Sequence, residues 1–560
     1  MNDLEHQAAF VANAADRIIS QIDPDPLSPT FGCAHLAFWR DKTSDLADMR
    51  RQEAMLPLAL LFVRNYPGSR WQGEDRLLEA VHALISFWCR NQYPDGSLDE
   101  WYKGERALAA AAFSTLAAAR TLEVAAQALP PETLDLARNG LARTAGWLTR
   151  RDDLFKANHQ AVAAAALAFA GKILGDQTLT EAARGKLEAL LKVQTPEGWF
   201  PEVGFMDLGY TFLTVEFGAM TLDLWQDWSR VEALRRAFDF ASEWVHPDLT
   251  IGPEYGSCHN PYLSRIAAVL MAPHSGRAAW LRQQFETRPA GRLGLEATLS
   301  DDLRLLRWAW QPLVAYDYAR RKPAPEPARP EPIPLADPDS GRRVWAQAGL
   351  ARFTCGQGTG LLAAAPGGLV RFFGPQAGPS LTDLGYALRL DQGWAATWAY
   401  DSRNQIQETA QGLVVNCRLA PVKKFTVPFW ARLALRLAST TAWGSKWTRR
   451  LIDFIRKRKG TAVNQSSASL SASRSPWRLS RQVSVGEQEV SLEDRLVFKR
   501  PIDRGALFFL KAEAQGWLKL APVCDSLAGL PPRIERLTIV KTYRPGRAWE
   551  LTGLKAGDEA

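Results

Sequence analysis

Seven prolines stand between positions 321 and 340, in RKPAPEPARPEPIPLADPDS. Such a density excludes a helix and leaves a stiff, extended spacer. Before it, apolar residues recur at helical spacing, as in ALAAAAFSTLAAARTLEVAAQAL and HQAVAAAALAFAGKILGD, with Gly or Pro between segments. After it the texture changes to short alternating runs such as ARFTCGQG, GLVRFFG, RQVSVGEQEVSLEDRLVF and ERLTIVKTY, the pattern of antiparallel strands. Helices first and strands later define an α+β multidomain chain: a helical half over 1–320, a linker over 321–340 and a strand-rich half over 341–560. A chain of 560 residues also exceeds the size at which one core stops growing.

The helical half contains a short pattern that occurs twice. NQYPDGSLDE (91–100) and VQTPEGWFPE (193–202) share Gln-x-Pro-acid-Gly and end on Glu. Each follows an apolar helix and supplies a Pro-acid-Gly turn. Two related loops about a hundred residues apart imply helical hairpins arranged around a ring, with Glu100 and Glu202 carried to one rim.

The formal net charge of +8 is concentrated in one place. KWTRRLIDFIRKRK (446–459) holds seven bases against one acid, and its apolar residues fall near helical spacing. This is the pattern of a basic amphipathic helix at an anionic membrane surface, in an insertion spanning about 421–480 that continues into the low-complexity NQSSASLSASRS. Nucleic acid is not expected as a partner. The first twenty residues carry acids where an export signal needs bases, and no uninterrupted apolar run reaches the roughly 18 residues of a membrane span, so a cytoplasmic chain, peripheral at the inner membrane face, is expected. Six scattered cysteines lack C-x-x-C spacing and are expected to be reduced.

Polar and aromatic residues gather near the loops. DEWYKGERA brings Glu100, Trp101, Tyr102, Glu105 and Arg106 to the start of an alanine-rich helix, and KANHQAVAAAALAF sets Asn158 and His159 at the head of an apolar one. A helix N-terminus aimed out of an apolar stack suits an anion. EGWFPEVGFMDLGY adds Trp199, Glu202, Asp207 and Tyr210, and GPEYGSCHNPY adds Glu254, Tyr255, His259 and Asn260. A surplus of tryptophan, 21 in all, points to stacking surfaces.

Taken in order, FGCAHLAFWRDKTSDLADMRRQEAMLPLALL, DGSLDEWYKGERALAAAAF, ANHQAVAAAALAFAG, EGWFPEVGFMDLGY and PEYGSCHNPY resemble the heparinase II/III-like proteins, which are related in architecture to alginate lyases. The resemblance implies an incomplete (α/α) toroid followed by an antiparallel β-sandwich, an acidic polysaccharide as partner, β-elimination beside a uronic acid, and no metal or organic cofactor; the expected cytoplasmic location and the basic insertion add a lipid-linked saccharide as a further candidate partner. It assigns Asn158 and His159 to the substrate carboxylate, Tyr210 to proton transfer and Glu202 to orienting them. Trp101, Trp199 and Tyr255 are then sugar platforms, and Glu100, Tyr102, Glu105, Arg106, Asp207, Glu254 and Asn260 complete the binding surface. The family's further histidine from the β domain has no counterpart, because no histidine follows His274; His259 stands as the substitute. A place in capsule or exopolysaccharide metabolism is expected. A uronate C5-epimerase and a non-catalytic glycan-binding or assembly protein remain alternatives, with a hydrolase using Glu100 and Glu202 behind them.

Overall fold

The computed structural model describes residues 1–289, 299, 301–321, 326–333, 341–356, 358–374, 381–391, 393–398, 400–422, 428–441, 443–444, 446–448, 450–451, 475–512, 518–522, 530–544 and 550–557. The helices are α1 (Asp3–Asn13), α2 (Ala15–Ile19), α3 (Leu36–Trp39), α4 (Met55–Val63), α5 (Asp75–Arg90), α6 (Leu108–Ala125), α7 (Pro131–Leu148), α8 (Ala157–Leu174), α9 (Gln177–Leu191) and α10 (Leu208–Trp225). They continue with α11 (Val231–Ser242), α12 (Arg265–Met271), α13 (Gly276–Thr287), α14 (Asp302–Trp308), α15 (Trp310–Arg320) and, much later, α16 (Phe429–Ser439). The α+β class follows directly.

Helices α4, α6, α8, α10, α12 and α15 pack each on the next, and α15 returns to α4. The sequence explains this inner circuit. α6 and α8 are lined by buried alanines, among them Ala110, Ala111, Ala118, Ala161, Ala164 and Ala165, whose small side chains let helix axes approach closely. Amphipathic helices such as α5 and α11 flank the circuit, α5 on α4 and α7, α11 on α10 and α13. The apolar α6 is long enough to cross a membrane by composition, yet most of it is buried in this core.

The repeated loops are structurally equivalent. In the first, the Tyr93 N–H donates to Ser97 O (3.0 Å) and the Gly96 N–H to Tyr93 O (2.8 Å); in the second, Thr195 bonds Trp199 O (3.0 Å) and Gly198 bonds Thr195 O (3.0 Å). Each glutamine then reaches the neighbouring helix. Gln92 Nε2 donates to Gly140 O of α7 (3.1 Å) and Gln194 Nε2 to Ala233 O of α11 (2.6 Å), while Arg143 and Arg236 of those helices donate back to the two amide oxygens. Both glycines are left-handed, with φ +87° and +102°, and a Cβ there would meet the backbone oxygen of Arg143 at 2.2 Å or Arg236 at 2.9 Å. The sequence repeats because one clamp between successive hairpins is used twice.

The strands β1 (Arg342–Trp345), β2 (Leu350–Cys355), β3 (Gly358–Ala363), β4 (Leu369–Phe373), β5 (Leu381–Leu390), β6 (Gly393–Ala396), β7 (Ile406–Thr409), β8 (Gly412–Arg418), β9 (Ala420–Val422), β10 (Trp477–Val485), β11 (Val490–Asp503), β12 (Leu507–Ala512), β13 (Leu518–Pro522), β14 (Arg533–Tyr543) and β15 (Glu550–Ala556) form two antiparallel sheets. One runs β1-β2-β3-β4-β5-β12-β13 with β6 and β9 attached through β5; the other runs β15-β14-β11-β10-β8-β7. Their facing side chains share buried clusters, Phe353, Leu362 and Phe372 with Val415, Val483 and Leu492, and Tyr386 and Leu388 with Leu479, Leu496 and Ile539. Between the sheets, fully buried Arg481 pairs with Asp494 (2.7 Å) and Asp383 (2.8 Å), and Lys541 joins both carboxylates. Every charge in that set is matched, which is the condition for burying it.

Side chains of the helical half hold the sheets. Glu243 collects Arg277 (2.6 Å) and, from β1 and β2, Arg343 (3.3 Å) and Arg352 (3.0 Å). Glu197, in the second repeated loop, accepts from the Gln347 and Ala348 N–H groups (2.8 and 2.9 Å). The described portion of the proline-rich stretch lies along the helical half, with Ala328 bonded to Ala272 O and Glu331 to Gly276 O, both 2.9 Å; 322–325 and 334–340 lie outside the described residues. Cys33, Cys89, Cys258, Cys355 and Cys417 are free thiols, and Cys524 lies outside the described residues.

Candidate active site

Asn158 and His159 occupy the first turn of α8, beside a tight turn that carries Glu202. The Glu202 N–H donates to Phe205 O (2.7 Å) and the Phe205 N–H returns to Glu202 O (3.0 Å) around Val203 (φ +56°) and Gly204 (φ +81°). Two positive φ values make a type I′ turn, in which a β-branched valine is strained. That turn fixes Glu202 against α8, and Asn158 Nδ2 donates to Glu202 Oε2 at 2.6 Å. Burial pushes the Glu202 carboxyl up to about 8, the Asn158 hydrogen bond and Lys156 opposing and Asp207 and Asp153 adding to the shift. Near neutral pH Glu202 is therefore largely protonated.

His159 Nδ1 lies 3.0 Å from Asp153 Oδ2. Burial opposes ionisation of Asp153, but the hydrogen bond from His159 and the charge and backbone N–H of Lys156 hold its carboxyl below the usual range, so it is an acceptor and Nδ1 carries the hydrogen. Burial, with Lys156, lowers the His159 pKa, leaving a neutral imidazole whose Nε2 has a lone pair. The ring meets Phe113 edge-on at 6.5 Å, and the Arg50 guanidinium stacks over the same Phe113 at 3.7 Å.

Tyr210 lies in the first turn of α10, capped by Asp207, whose Oδ1 accepts from the Tyr210 N–H (3.0 Å) and whose Oδ2 accepts from the Cys258 N–H (2.8 Å). Burial, then Glu202, Cys258 and Asp207, raise the Tyr210 phenol, against Arg50, so it stays protonated. Arg50 itself sits in a 3-10 turn, Met49–Ala54, with Nε on Glu53 Oε1 (2.8 Å) and Nη1 4.0 Å from Glu100. Arg307 of α14 completes the group, with Nη1 3.1 Å from Glu100 and Nη2 2.6 Å from Asp48. Glu100 also acts on His159 electrostatically. Both repeat-loop glutamates thus reach one site, together with Asn158, His159 and Tyr210.

The remaining expected residues divide. Glu105, raised to about 7 by burial, receives the Trp101 and Glu100 N–H groups (2.7 and 3.2 Å) and so shapes its own loop; Arg106 pairs with Asp95. Trp101 is 69% exposed and open to stacking, and Tyr102 is half-buried beside it. Trp199 and Tyr255 do not have the open faces read from the sequence. Trp199 is buried with Nε1 on Glu197 (3.1 Å), and Tyr255 is buried with its hydroxyl 3.0 Å from His246 Nε2. Asp207 is occupied as a helix cap, raised to about 6 by burial, and Glu254 is paired with Arg371 of β4. Asn260 accepts the Tyr262 N–H (3.2 Å) and keeps a buried amide without a hydrogen-bond partner. His259 is exposed, with its ring 5.9 Å from that of Trp398 in the strand-rich half.

The sequence reading passed over Arg50, Arg307, Asp153, Lys156 and Trp398. Asp153 had a usable signal, six positions before His159 in RDDLFKANH. Arg307 had none, since only folding brings α14 to Glu100.

Helices in a closed packing circuit followed by two face-sharing antiparallel sheets make a fold that this chain shares with solved polysaccharide lyases. The chondroitin AC lyase of Streptomyces coelicolor A3, solved with chondroitin sulphate, superposes with a TM-score of 0.55 at 11% identity, over 92% of this chain and 71% of that one. A Paenibacillus xanthan lyase superposes with a TM-score of 0.53 at 11% identity, over 97% of this chain and half of that one. These neighbours agree with the polysaccharide-lyase resemblance read from the sequence, and at such identity the likeness is one of fold. No family model and no curated protein matches the sequence.

Proposed function

We propose that the chain is a polysaccharide lyase that cleaves a uronic-acid-containing acidic glycan by β-elimination. In this reading the helical circuit is an incomplete (α/α) toroid, the paired sheets are a β-sandwich, and the glycan lies where they meet. The observation that carries it is the buried Asn158–Glu202 hydrogen bond beside a neutral His159 and a protonated Tyr210.

Abstraction of the C5 proton is difficult because the neighbouring carboxylate is already negative. Glu202, held neutral by burial, adds no repulsion, and Asn158 keeps a second amide hydrogen for the substrate. Arg50 and Lys156 supply positive charge. The C5–H bond breaks with its proton passing to His159 Nε2; its electron pair forms the C4–C5 double bond; the C4–O bond breaks, and Tyr210 protonates the leaving oxygen. Trp101, with its open ring, gives a sugar a stacking face.

Incubation with polyuronates and glycosaminoglycans tests this. A lyase generates an unsaturated uronate at each new non-reducing end. Deuterium entering C5 from solvent without cleavage would instead mean an epimerase, and binding without either signal a non-catalytic protein.

A further inference from the structure

The two ends of the insertion leave the strand-rich half from one point: the Leu419 N–H bonds Trp477 O (3.2 Å), and Ser475 Oγ donates to Leu419 O (2.5 Å). Among the described residues between these ends, β9 returns to β6 of the sheet and α16 is the next element. No described side chain of α16 is buried. Phe429, Trp430 and Leu437 are 61%, 74% and 62% exposed, and with Leu433 they share one helical face. Trp443, Trp447 and Leu451 are exposed as well, the two indoles 5.8 Å apart. Six of the fifteen exposed large apolar side chains among the described residues thus fall within 429–451. Scattered apolar exposure is ordinary; this concentration marks a surface that is covered by something.

Its charge identifies what covers it. From 429 to 451 there is no acid, and Arg432, Arg436, Lys446, Arg449 and Arg450 are all basic. Extended to Lys459, the stretch has nine bases against one acid, equal to the whole formal net charge of the protein; 452–459, with much of the expected basic helix, lies outside the described residues. Arg432 and Arg436 flank the apolar face of α16, Arg436 also pairing with Asp45 at 3.3 Å. Exposed tryptophans bordered by arginine and lysine suit the boundary between lipid headgroups and acyl chains, where the indole ring is half apolar and the base meets phosphate.

We infer that the described residues within 429–451 form a docking surface for an anionic lipid bilayer, inserting Phe429, Trp430, Leu437, Trp443 and Trp447 while Arg432, Arg436, Lys446 and Arg450 bind headgroups. This surface includes none of the candidate catalytic residues and stands whether or not the glycan reading does.

The test is flotation of the full chain with phosphatidylglycerol-containing and pure phosphatidylcholine vesicles, with tryptophan emission read in parallel. Binding to the anionic vesicles alone, weakened by salt and accompanied by a blue shift, is expected. Each base contributes about fivefold at such a surface, so R432Q/R436Q/K446Q/R450Q should lower partitioning by about two orders of magnitude or more. W430S/W443S/W447S should abolish the blue shift, with thermal unfolding unchanged because all three side chains are exposed. Failure of the intact protein to float with anionic vesicles overturns the inference. So does equal binding to neutral vesicles, binding undiminished in both variants, or dimerisation through this face that the tryptophan variant abolishes. Retention on a soluble polyuronate by the same bases, without vesicle binding, also overturns it.

Discussion

The side-chain amide of Asn158 reaches across 44 positions to hydrogen-bond the carboxyl of Glu202 at 2.6 Å, with both residues buried. Removing it leaves a buried acid without its partner. Asn158→Ala should raise the Glu202 pKa further, destabilise the fold by about 1–3 kcal/mol and lower turnover about 100- to 1000-fold. Thermal unfolding and steady-state rates check both, and unchanged turnover would remove Asn158 from the site.

Tyr210→Phe deletes one hydroxyl and leaves the α10 cap intact, since Asp207 bonds the backbone N–H. Turnover should fall about 100- to 10,000-fold with the melting temperature unchanged. Retained activity would assign the leaving-group proton elsewhere.

The pH profile has a sign on each limb. Burial lowers the His159 pKa, so kcat/KM should rise as pH climbs through a value below the ordinary imidazole one, and it should fall as Glu202 ionises near about 8. Stability responds to Glu202 differently. A raised folded-state pKa means its contribution is fully present below the unfolded carboxyl value and is lost as pH rises through about 8. Glu202→Gln should therefore flatten the stability curve between about pH 4.5 and 8, which denaturant titrations would detect.

The turn that holds Glu202 carries strain at Val203. Val203→Asn, a residue tolerant of positive φ, should raise stability by about 1 kcal/mol while preserving the turn. A lower melting temperature would show that the valine side chain contributes more than its backbone costs.

The repeated loops offer a matched pair. Gly96→Ala and Gly198→Ala should both destabilise, by about 1–3 kcal/mol, and Gly96→Ala more, because its Cβ would lie 2.2 rather than 2.9 Å from a backbone oxygen. Equal and negligible effects would contradict the shared clamp.

How far the sequence speaks for itself varies with the range of the interactions. The Gln-x-Pro-acid-Gly repeat was legible because its clamp is local, a turn plus one glutamine reaching the next helix. The pairing of Asn158 with Glu202 was half legible: both belong to conspicuous stretches, but their contact depends on an alanine-lined α8 approaching the turn at 202–205. Arg50 and Arg307 were not legible, because buried bases matched by Glu53, Glu100 and Asp48 look, in sequence, like any solvated charges. Trp199 and Tyr255 looked like sugar platforms for the converse reason: aromatic residues in polar loops read as exposed until the fold buries them, Trp199 beside Glu197 of its own loop and Tyr255 beneath Arg371 of β4.

Elimination at a uronate is measured most directly by the ratio of unsaturated uronate to new reducing ends released from an acidic polysaccharide, in the native protein and in Tyr210→Phe. One double bond per cleavage, lost in the variant, is the result expected. Reducing ends without unsaturation, or unsaturation undiminished in Tyr210→Phe, would contradict it.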